Sequence, residues 1–310
     1  MMNEERVAVG LGATAMATAA YCEALEYAKQ RRQGRRMRGS DPSGPPVPII
    51  EHADVKRMLL FQRSVTEGAL SLLLQCSRYL DMQKVCSGQG KEEYQLLLEI
   101  LTPVAKSYPS EMGILAVSQA LQIFGGSGYC NDYSLEQYYR DARIHPIHEG
   151  TTGIHGIDLL GRKVTMKGGR AFSLYLEQIE NAIRIAKDIP LLSTCCQKLG
   201  EGLRHLKETT QYLMALLRQQ NRELFLADAT LYLEFFGIVT IAWQWLLQAI
   251  AIHRGLKDSC DEKDLAFYRG KLITFRYFYE YELPKILGLK QRLMNSDGLT
   301  VEANADLFVD

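Results

Sequence analysis

The chain has 310 residues, which is enough for two compact domains and a sizeable core. Its 36 basic residues balance its 36 acidic ones, so no net positive field would hold nucleic acid or an anionic membrane without specificity. Hydrophobic residues make up 47% of the chain, which is typical of a globular protein. The 7 cysteines lack a CxxC spacing, so we expect neither a zinc site nor a disulfide framework, and we predict a cytoplasmic location.

One apolar segment, residues 235 to 252, is close to the length that crosses a bilayer and carries no formal charge. Gln244 and Gln248 give it a polar stripe one helical turn long, which favours a buried helix over a membrane span. The amino terminus lacks the basic region and apolar run of a signal peptide. We therefore expect neither a membrane nor nucleic acid as a partner.

Helical periodicity covers the first half of the chain. Small and apolar residues between positions 7 and 28 alternate at spacings of 4 and 3, which predicts a helix of about 30 residues. The same pattern recurs over residues 55 to 79, and a third helix is predicted from about 92 to 124, with Pro103 as its start or as a kink. A short helix follows at residues 135 to 142. No run shows the alternation of a β-strand.

The character of the sequence changes near residue 165, at a cluster of glycines. We predict an all-α fold in which a four-helix up-down bundle, residues 1 to 165, precedes a second helical domain, residues 166 to 290, and a polar tail, residues 291 to 310. The helices expected in the second domain cover approximately residues 171 to 187, 192 to 220, 224 to 253 and 263 to 288.

Residues 7 to 15, VAVGLGATA, imitate the GxGxxG fingerprint of dinucleotide-binding proteins. That fingerprint requires a preceding strand and a following helix, whereas here the apolar stripe of a helix passes through it. Small residues that allow close packing between helices are the better interpretation.

The stretch HPIHEGTTGIH could suggest a metal site made of His145, His148, Glu149 and His155. A zincin needs HExxH, and Thr152 stands where the second histidine should be, so we predict no metal site. The alternative is a helix entry in which Thr151 or Thr152 is the capping residue.

Two polar clusters could bind an anion. Five arginines follow the first helix, and they are Arg31, Arg32, Arg35, Arg36 and Arg38. They either form a solvated loop or bind phosphate, whose oxygens match guanidinium groups. The GGSG stretch at residues 125 to 128 is likewise either a tight turn or a place where backbone amides approach an anion.

The order of these features resembles the carboxy-terminal helical domain of the acyl-CoA dehydrogenase family. The resemblance covers roughly residues 1 to 165 and is carried by KQRRQGR and by ALQIFGGSGYCNDYSLEQYYRDARIHPIHEGTTGIHGIDLLGRK, residues 120 to 163. The additional helical block is similar to that of 3-methylthiopropanoyl-CoA dehydrogenase-like members.

This resemblance implies flavin chemistry on an acyl-CoA thioester. The glutamate of the family's EGT motif is the catalytic base, and Glu149 matches it. A carboxylate in a dry pocket becomes a stronger base, and hydrogen bonds to the thioester carbonyl, one from the Glu149 backbone N–H, stabilise the developing enolate. The implied cofactor is FAD, which accepts the hydride.

The resemblance also implies cofactor contacts. Arg31 matches the arginine of the RxxFG signature, which reaches the FAD of a neighbouring subunit. Gln122, Gly125 and Gly126 match the QIxGGxG signature, and Thr151 matches the threonine after the base. The aromatic residue of RxxFG is missing here, and Gly153 replaces a glutamine that contacts the flavin in many members.

Members of the family place an amino-terminal helical domain and a middle β domain before this region, and this sequence begins at the third domain. We therefore expect residues 1 to 310 alone to be colourless and inactive, although folded. The implied partners are an acyl-CoA substrate, an electron-transferring flavoprotein or similar acceptor, and further copies of the chain. The alternative function is a catalytically silent helical module for oligomerisation or binding.

Overall fold

The structure, a computed structural model, describes residues 2 to 36, 44 to 257 and 261 to 309. These residues form α-helices and contain no β-strand, only an isolated antiparallel bridge between Arg32 and Pro48. The all-α prediction is therefore confirmed. The helices are α1 (Met2–Gln30), α2 (Ala53–Val85), α3 (Gly88–Phe124), α4 (Leu135–Ala142), α5 (Thr152–Asp158), α6 (Arg170–Ala186), α7 (Ser193–Arg218), α8 (Arg222–Ala227), α9 (Ala229–Gly255), α10 (Glu262–Tyr277), α11 (Ile286–Leu293) and α12 (Leu299–Glu302).

The first half is a bundle in which α1, α2 and α3 pack against one another, and the shorter α4 packs against α1 and α3. The first two helices approach α3 over small residues. A Cβ on Gly10 would lie 2.1 Å from the carbonyl oxygen of Ala105. That carbonyl has no helical donor four residues later, because Pro109 lacks an N–H. Residues 7 to 15 thus lie inside α1, and the close-packing interpretation is confirmed for Gly10.

The second half is built around α9, which contacts α2, α5, α7, α10 and α11. Trp243 and Trp245 are fully buried on this helix, and Thr240 accepts or donates a hydrogen bond with the hydroxyl of Tyr175 at 3.0 Å. By length and composition, α1 and α9 could each cross a membrane. In α9 the apolar window is 83% buried within the protein, as the core-helix interpretation expects.

The two halves share a continuous hydrophobic core. The indole Nε1 of Trp245 donates to the Ser64 carbonyl at 2.9 Å, and the Ser71 hydroxyl donates to Gln244 at 2.9 Å. A Cβ on Gly68 would lie 2.5 Å from Ile241, so this glycine lets α2 approach α9. The division of the chain at residue 165 and the polar tail remain predictions.

Several helix boundaries differ from the predicted ones. The predicted helix over 224 to 253 is interrupted at Asp228, which ends α8 and precedes α9. The predicted helix over 263 to 288 is interrupted by a π-helical turn at Phe278–Glu282, followed by Pro284. Proline removes one N–H donor from the helical ladder, and here the chain passes through a 3₁₀ turn, Leu283–Lys285, before α11 begins at Ile286. By contrast, α3 continues through Pro103.

Candidate functional site

The candidate base Glu149 lies in the turn that joins α4 to α5. Its backbone is left-handed, with φ of 56°, and Gly150 continues with φ of 92°. A left-handed conformation is uncommon for a residue with a Cβ, and it persists only where the surroundings fix it. The Glu149 side chain is 35% exposed, and its Oε1 lies 3.9 Å from His148 Nε2.

Two buried side chains bind the carbonyl oxygens of this turn. His155 Nε2 donates to the carbonyl of Glu149 at 3.1 Å. Lys106 Nζ, which reaches from α3, donates to the carbonyl of Gly150 at 2.7 Å. The turn is closed by the Thr152 N–H, which donates to the Pro146 carbonyl at 3.1 Å. The left-handed backbone is thus held by hydrogen bonds to the carbonyls of both Glu149 and Gly150.

The backbone N–H groups of Glu149, Gly150 and Thr151 have no acceptor among the described residues. Consecutive amides without partners form a concave site for a negatively charged oxygen. Placed beside a carboxylate, they can stabilise an enolate that forms when that carboxylate removes a proton.

The two side chains that bind the turn are charged or titratable and are fully buried. Burial lowers the pKa of Lys106 to about 8, although the carboxylates of Glu111 and Glu149 act in the opposite direction. Burial and the nearby Arg6 cation lower the pKa of His155 to about 4, so this imidazole is neutral at pH 7. Its Nδ1 is buried without a partner in the described parts of the chain.

The threonines after the base have different contacts. Thr151 occupies the position before α5, but its side chain makes no capping hydrogen bond. The Thr152 hydroxyl instead donates a short hydrogen bond to Glu111 on α3. The capping interpretation is therefore right about the position of Thr151 and wrong about its hydrogen bond.

A second part of the predicted site is a cleft of about 660 Å³ at the other end of α1 and α3. Four predicted cofactor residues, Arg31, Gln122, Gly125 and Gly126, line it together. They come from segments almost 100 residues apart in the sequence, and the fold brings them together. Glu149 and Thr151 do not line this cleft.

The arginine cluster separates into two groups. Arg32 and Arg35 donate to the carbonyls of Pro46 and Gly44, and Arg36 forms an ion pair with Glu51 at 2.7 Å. These three arginines bind residues between 44 and 51. The guanidinium of Arg31 has no hydrogen bond or ion pair within the described residues, and it lies at the cleft. Arg38 lies outside the described residues.

The glycines of GGSG also have different roles. Gly125 needs its hydrogen side chain for its φ of 60°, and a Cβ there or on Gly126 would meet no atom within 4 Å. A Cβ on Gly128 would lie 2.8 Å from Phe124 and 2.9 Å from the Leu121 carbonyl. Gly128 is therefore required by packing, whereas Gly126 has no such requirement and leaves open space in the cleft.

Aromatic stacking fixes the walls of the cleft. The Tyr27 and Phe124 rings stack with centroids 4.0 Å apart, and Tyr133 packs edge-on against Phe124 at 5.0 Å. Because Tyr27 precedes Arg31 by one helical turn, this stack places the arginine beside the α3 terminus.

Sequence reasoning missed two contacts to the Glu149 turn: the hydrogen bonds that Lys106 and His155 donate to its carbonyls. Lys106 carried a signal, since it is the single charge in the run from 100 to 110. No three His, Cys, Asp or Glu residues cluster like metal ligands in the described chain, and His155 instead binds the turn.

The chain matches two family profiles. Residues 1 to 164 match "Acyl-CoA dehydrogenase, C-terminal domain" and residues 175 to 304 match "Acetyl-CoA dehydrogenase C-terminal like". Among solved structures, the acyl-CoA dehydrogenase of Bacillus anthracis in complex with FAD has a TM-score of 0.71 at 18% identity and covers 99% of this chain. This chain covers 50% of that one. Likeness at this identity concerns the fold.

Curated relatives align along nearly the whole chain. The 3-methylmercaptopropionyl-CoA dehydrogenase of Ruegeria pomeroyi is 34% identical over 297 residues, which is 96% of this chain and 50% of the relative. A butyryl-CoA dehydrogenase of Syntrophomonas wolfei is 32% identical over 304 residues, 97% of this chain and 49% of the relative. The chain thus spans about half the length of these relatives. It belongs to the acyl-CoA dehydrogenase family and has the fold of the family's carboxy-terminal helical region.

Proposed function

We propose that this chain supplies the catalytic base and part of the cofactor site of an FAD-dependent acyl-CoA dehydrogenase. The observation that carries the proposal is the Glu149 turn, where a carboxylate and a row of unpaired amides lie together on a fixed backbone. Two relatives are named as dehydrogenases of acyl-CoA thioesters, which supports this substrate class.

Glu149 would remove the α-proton of the thioester. Its side chain is partly exposed at 35%, so a substrate can reach it from one side. The α-proton is weakly acidic, and a base alone would be slow. The backbone N–H of Glu149, with those of Gly150 and Thr151 beside it, can donate to the thioester carbonyl oxygen, where negative charge develops. Base and donors belong to one turn, so their relative positions are fixed.

The residues of the cleft fit a flavin nucleotide. Arg31 offers an unpaired guanidinium, the amide of Gln122 is exposed, and Gly126 leaves space where a side chain would otherwise stand. FAD, when bound, supplies the acceptor for the β-hydride. We assign Arg31, Gln122, Gly125 and Gly126 to holding the dinucleotide, and Thr151 to a flavin contact near the base.

The Glu149 turn does not line the cleft that contains Arg31 and Gln122. This separation is expected if Arg31 and Gln122 bind the cofactor of a neighbouring copy. We therefore include self-association in the proposal. We also propose an electron-transferring flavoprotein or similar protein as the electron acceptor, and a cytoplasmic location.

Replacing the base tests the proposal. In a flavin-loaded protein that contains residues 1 to 310, Glu149→Gln should lower acyl-CoA oxidation by about 100-fold to 10,000-fold, since the amide keeps the shape and cannot take a proton. The matched control is Glu111→Gln, which changes a carboxylate that binds Thr152 from the adjacent helix. Near-normal oxidation by Glu149→Gln contradicts the proposal and favours the alternative, a catalytically silent module.

A further inference from the structure

The ammonium of Lys106 is buried in an unusual place. The residue is fully buried, at 0% exposure, in the middle of α3 between Pro103 and Pro109. Its Nζ donates to a backbone carbonyl, that of Gly150, and forms no ion pair within 4 Å in the described residues. Removing a charge from water without a close counter-ion is costly, so an apolar residue at this position would suit the fold better.

The second lysine buried in this bundle differs from Lys106. Lys163 is 2% exposed and pairs with the carboxylate of Glu99, with Asp158 4.0 Å away. It therefore neutralises partly buried acids, which is a structural role. Lys106 lies close enough to Glu111 and Glu149 for their charges to raise its pKa, but its direct partner is the turn.

The geometry of the peptide unit explains what this partner achieves. In a trans peptide the C=O of one residue and the N–H of the next point in opposite directions. Binding of the Glu149 carbonyl by His155 therefore fixes the N–H of Gly150, and binding of the Gly150 carbonyl by Lys106 fixes the N–H of Thr151. The N–H groups of Gly150 and Thr151 consequently point away from His155 and Lys106.

We propose that Lys106, together with His155, is a positioning residue that holds the Glu149–Gly150 turn with its amides and carboxylate toward the substrate. Lys106 touches neither substrate nor cofactor in this scheme. The inference rests on the proposed function for the role of Glu149, and it adds the part of α3 that maintains the turn.

The test compares Lys106→Met with the control Lys163→Met. Methionine keeps the length of the side chain without its charge. Because Lys106 is buried at a cost, Lys106→Met should keep or raise the melting temperature, whereas Lys163→Met should lower it by leaving Glu99 unpaired. A lysine that merely supports the fold would lower the melting temperature in both variants.

A second measurement follows the turn itself. Hydrogen exchange of the Thr152 amide, whose bond to Pro146 closes the turn, should become about tenfold to a hundredfold faster in Lys106→Met, as expected for loss of a charge-assisted hydrogen bond. It should be unchanged in Lys163→Met. In a flavin-loaded protein that contains residues 1 to 310, Lys106→Met should lower kcat more than it changes KM.

A third measurement keeps Lys106 itself in place, so it does not depend on the folding of a Lys106 variant. Titration of Lys106 by NMR should show its pKa falling further in Glu149→Gln, because the carboxylate that opposes the shift is removed. Unchanged Thr152 exchange in Lys106→Met, or a Lys106 pKa that ignores Glu149→Gln, overturns the inference. Failure of the proposed function would appear separately, as normal turnover of Glu149→Gln with the exchange results intact.

Discussion

His155 Nε2 lies 3.1 Å from the carbonyl oxygen of Glu149, six residues earlier in the chain, and donates a hydrogen bond to it. A carbonyl only accepts, so the proton is on Nε2 and Nδ1 is the bare nitrogen. That Nδ1 is buried and has no partner in the described residues. A second proton on this ring would therefore be a buried charge whose Nδ1–H has no acceptor.

The first prediction concerns the acid side of the stability curve. His155 has a folded pKa of about 4 against 6.5 for the free side chain. Between these values the unfolded chain binds a proton that the folded chain does not, so stability is lost as pH falls from 6.5 toward 4. We expect His155 to account for a loss of about 2 to 3 kcal/mol in the free energy of unfolding. Denaturant unfolding at a series of pH values measures it.

The control for this prediction replaces the imidazole of His155 and leaves the groups around it unchanged. Besides burial, the pKa of the ring is lowered by Arg6 from α1 and Lys106 from α3. It is raised by the Glu149 carbonyl and by Asp158 from α5. His155→Gln keeps a donor for the Glu149 carbonyl and removes the titration. Its stability should fall less steeply below pH 6.5 than that of the wild type, and parallel curves for the two proteins would contradict the assignment.

A second prediction concerns the contact between α5 and the start of α9. A Cβ on Gly156 would lie 2.7 Å from the backbone of Ala229, at the start of α9. Since backbone cannot swing aside, Gly156→Ala should lower the free energy of unfolding by about 1 to 3 kcal/mol. On the same helix, a Cβ on Gly153 would meet nothing closer than 3.8 Å. Gly153→Ala should therefore be neutral or stabilising, and equal losses for both variants in thermal unfolding would refute this contact.

The glycines of the cleft give a third prediction. Gly126→Ala places a methyl group in open space, so the melting temperature should stay the same while FAD binding weakens. Gly128→Ala forces a Cβ to within 2.9 Å of the Leu121 carbonyl and should destabilise the protein by about 1 to 3 kcal/mol. Flavin retention and thermal unfolding, measured on both variants, separate the two roles. Full retention of FAD by Gly126→Ala would exclude close approach of the cofactor there.

A fourth prediction concerns Arg31, whose guanidinium has no hydrogen bond or ion pair within the described residues. Arg31→Gln should weaken FAD binding and reduce the dependence of binding on salt, because one phosphate contact is lost. Arg35→Gln is the control, since Arg35 already donates to the Gly44 carbonyl at 2.6 Å. Equilibrium titrations with FAD at two salt concentrations measure both. An equal effect in the two variants would show that general positive charge, rather than Arg31, attracts the cofactor.

The fold could be predicted from the sequence wherever one apolar stripe continued without competition. The existence of α1 and the bounds of α4 are examples that agree with the structure. The predicted 4 and 3 stripe on α1 agrees only in part, because Leu11 and Thr18 are exposed and small residues such as Ala17 and Ala20 form the buried face.

The break at Asp228 was not predicted, because no glycine or proline marks it in the sequence; the Asp228 carboxylate accepts a hydrogen bond from Arg292, 64 residues away. The predicted helix over 263 to 288 ran through Pro284, a local signal in the sequence that follows the π-helical turn at Phe278–Glu282 by two residues.

The site could be predicted only where a motif contained it. Glu149 and the glycines of GGSG belong to continuous motifs, so their candidates followed from the sequence. The Lys106 contact with Gly150 joins positions 44 residues apart. A lone lysine in an apolar run suggests a buried charge, but the sequence does not indicate its partner. His155 was considered as a metal ligand because the sequence shows a histidine there but does not show its hydrogen bond to the Glu149 carbonyl.

Reduction of bound flavin by acyl-CoA without oxygen, followed by absorbance, tests the central claim most directly. In a flavin-loaded protein that contains residues 1 to 310, we predict that a straight-chain acyl-CoA bleaches the oxidised flavin. The Glu149→Gln variant should bind the same thioester and keep its oxidised spectrum. Bleaching at the same rate in Glu149→Gln, or a loaded wild type that no acyl-CoA reduces, would contradict the account.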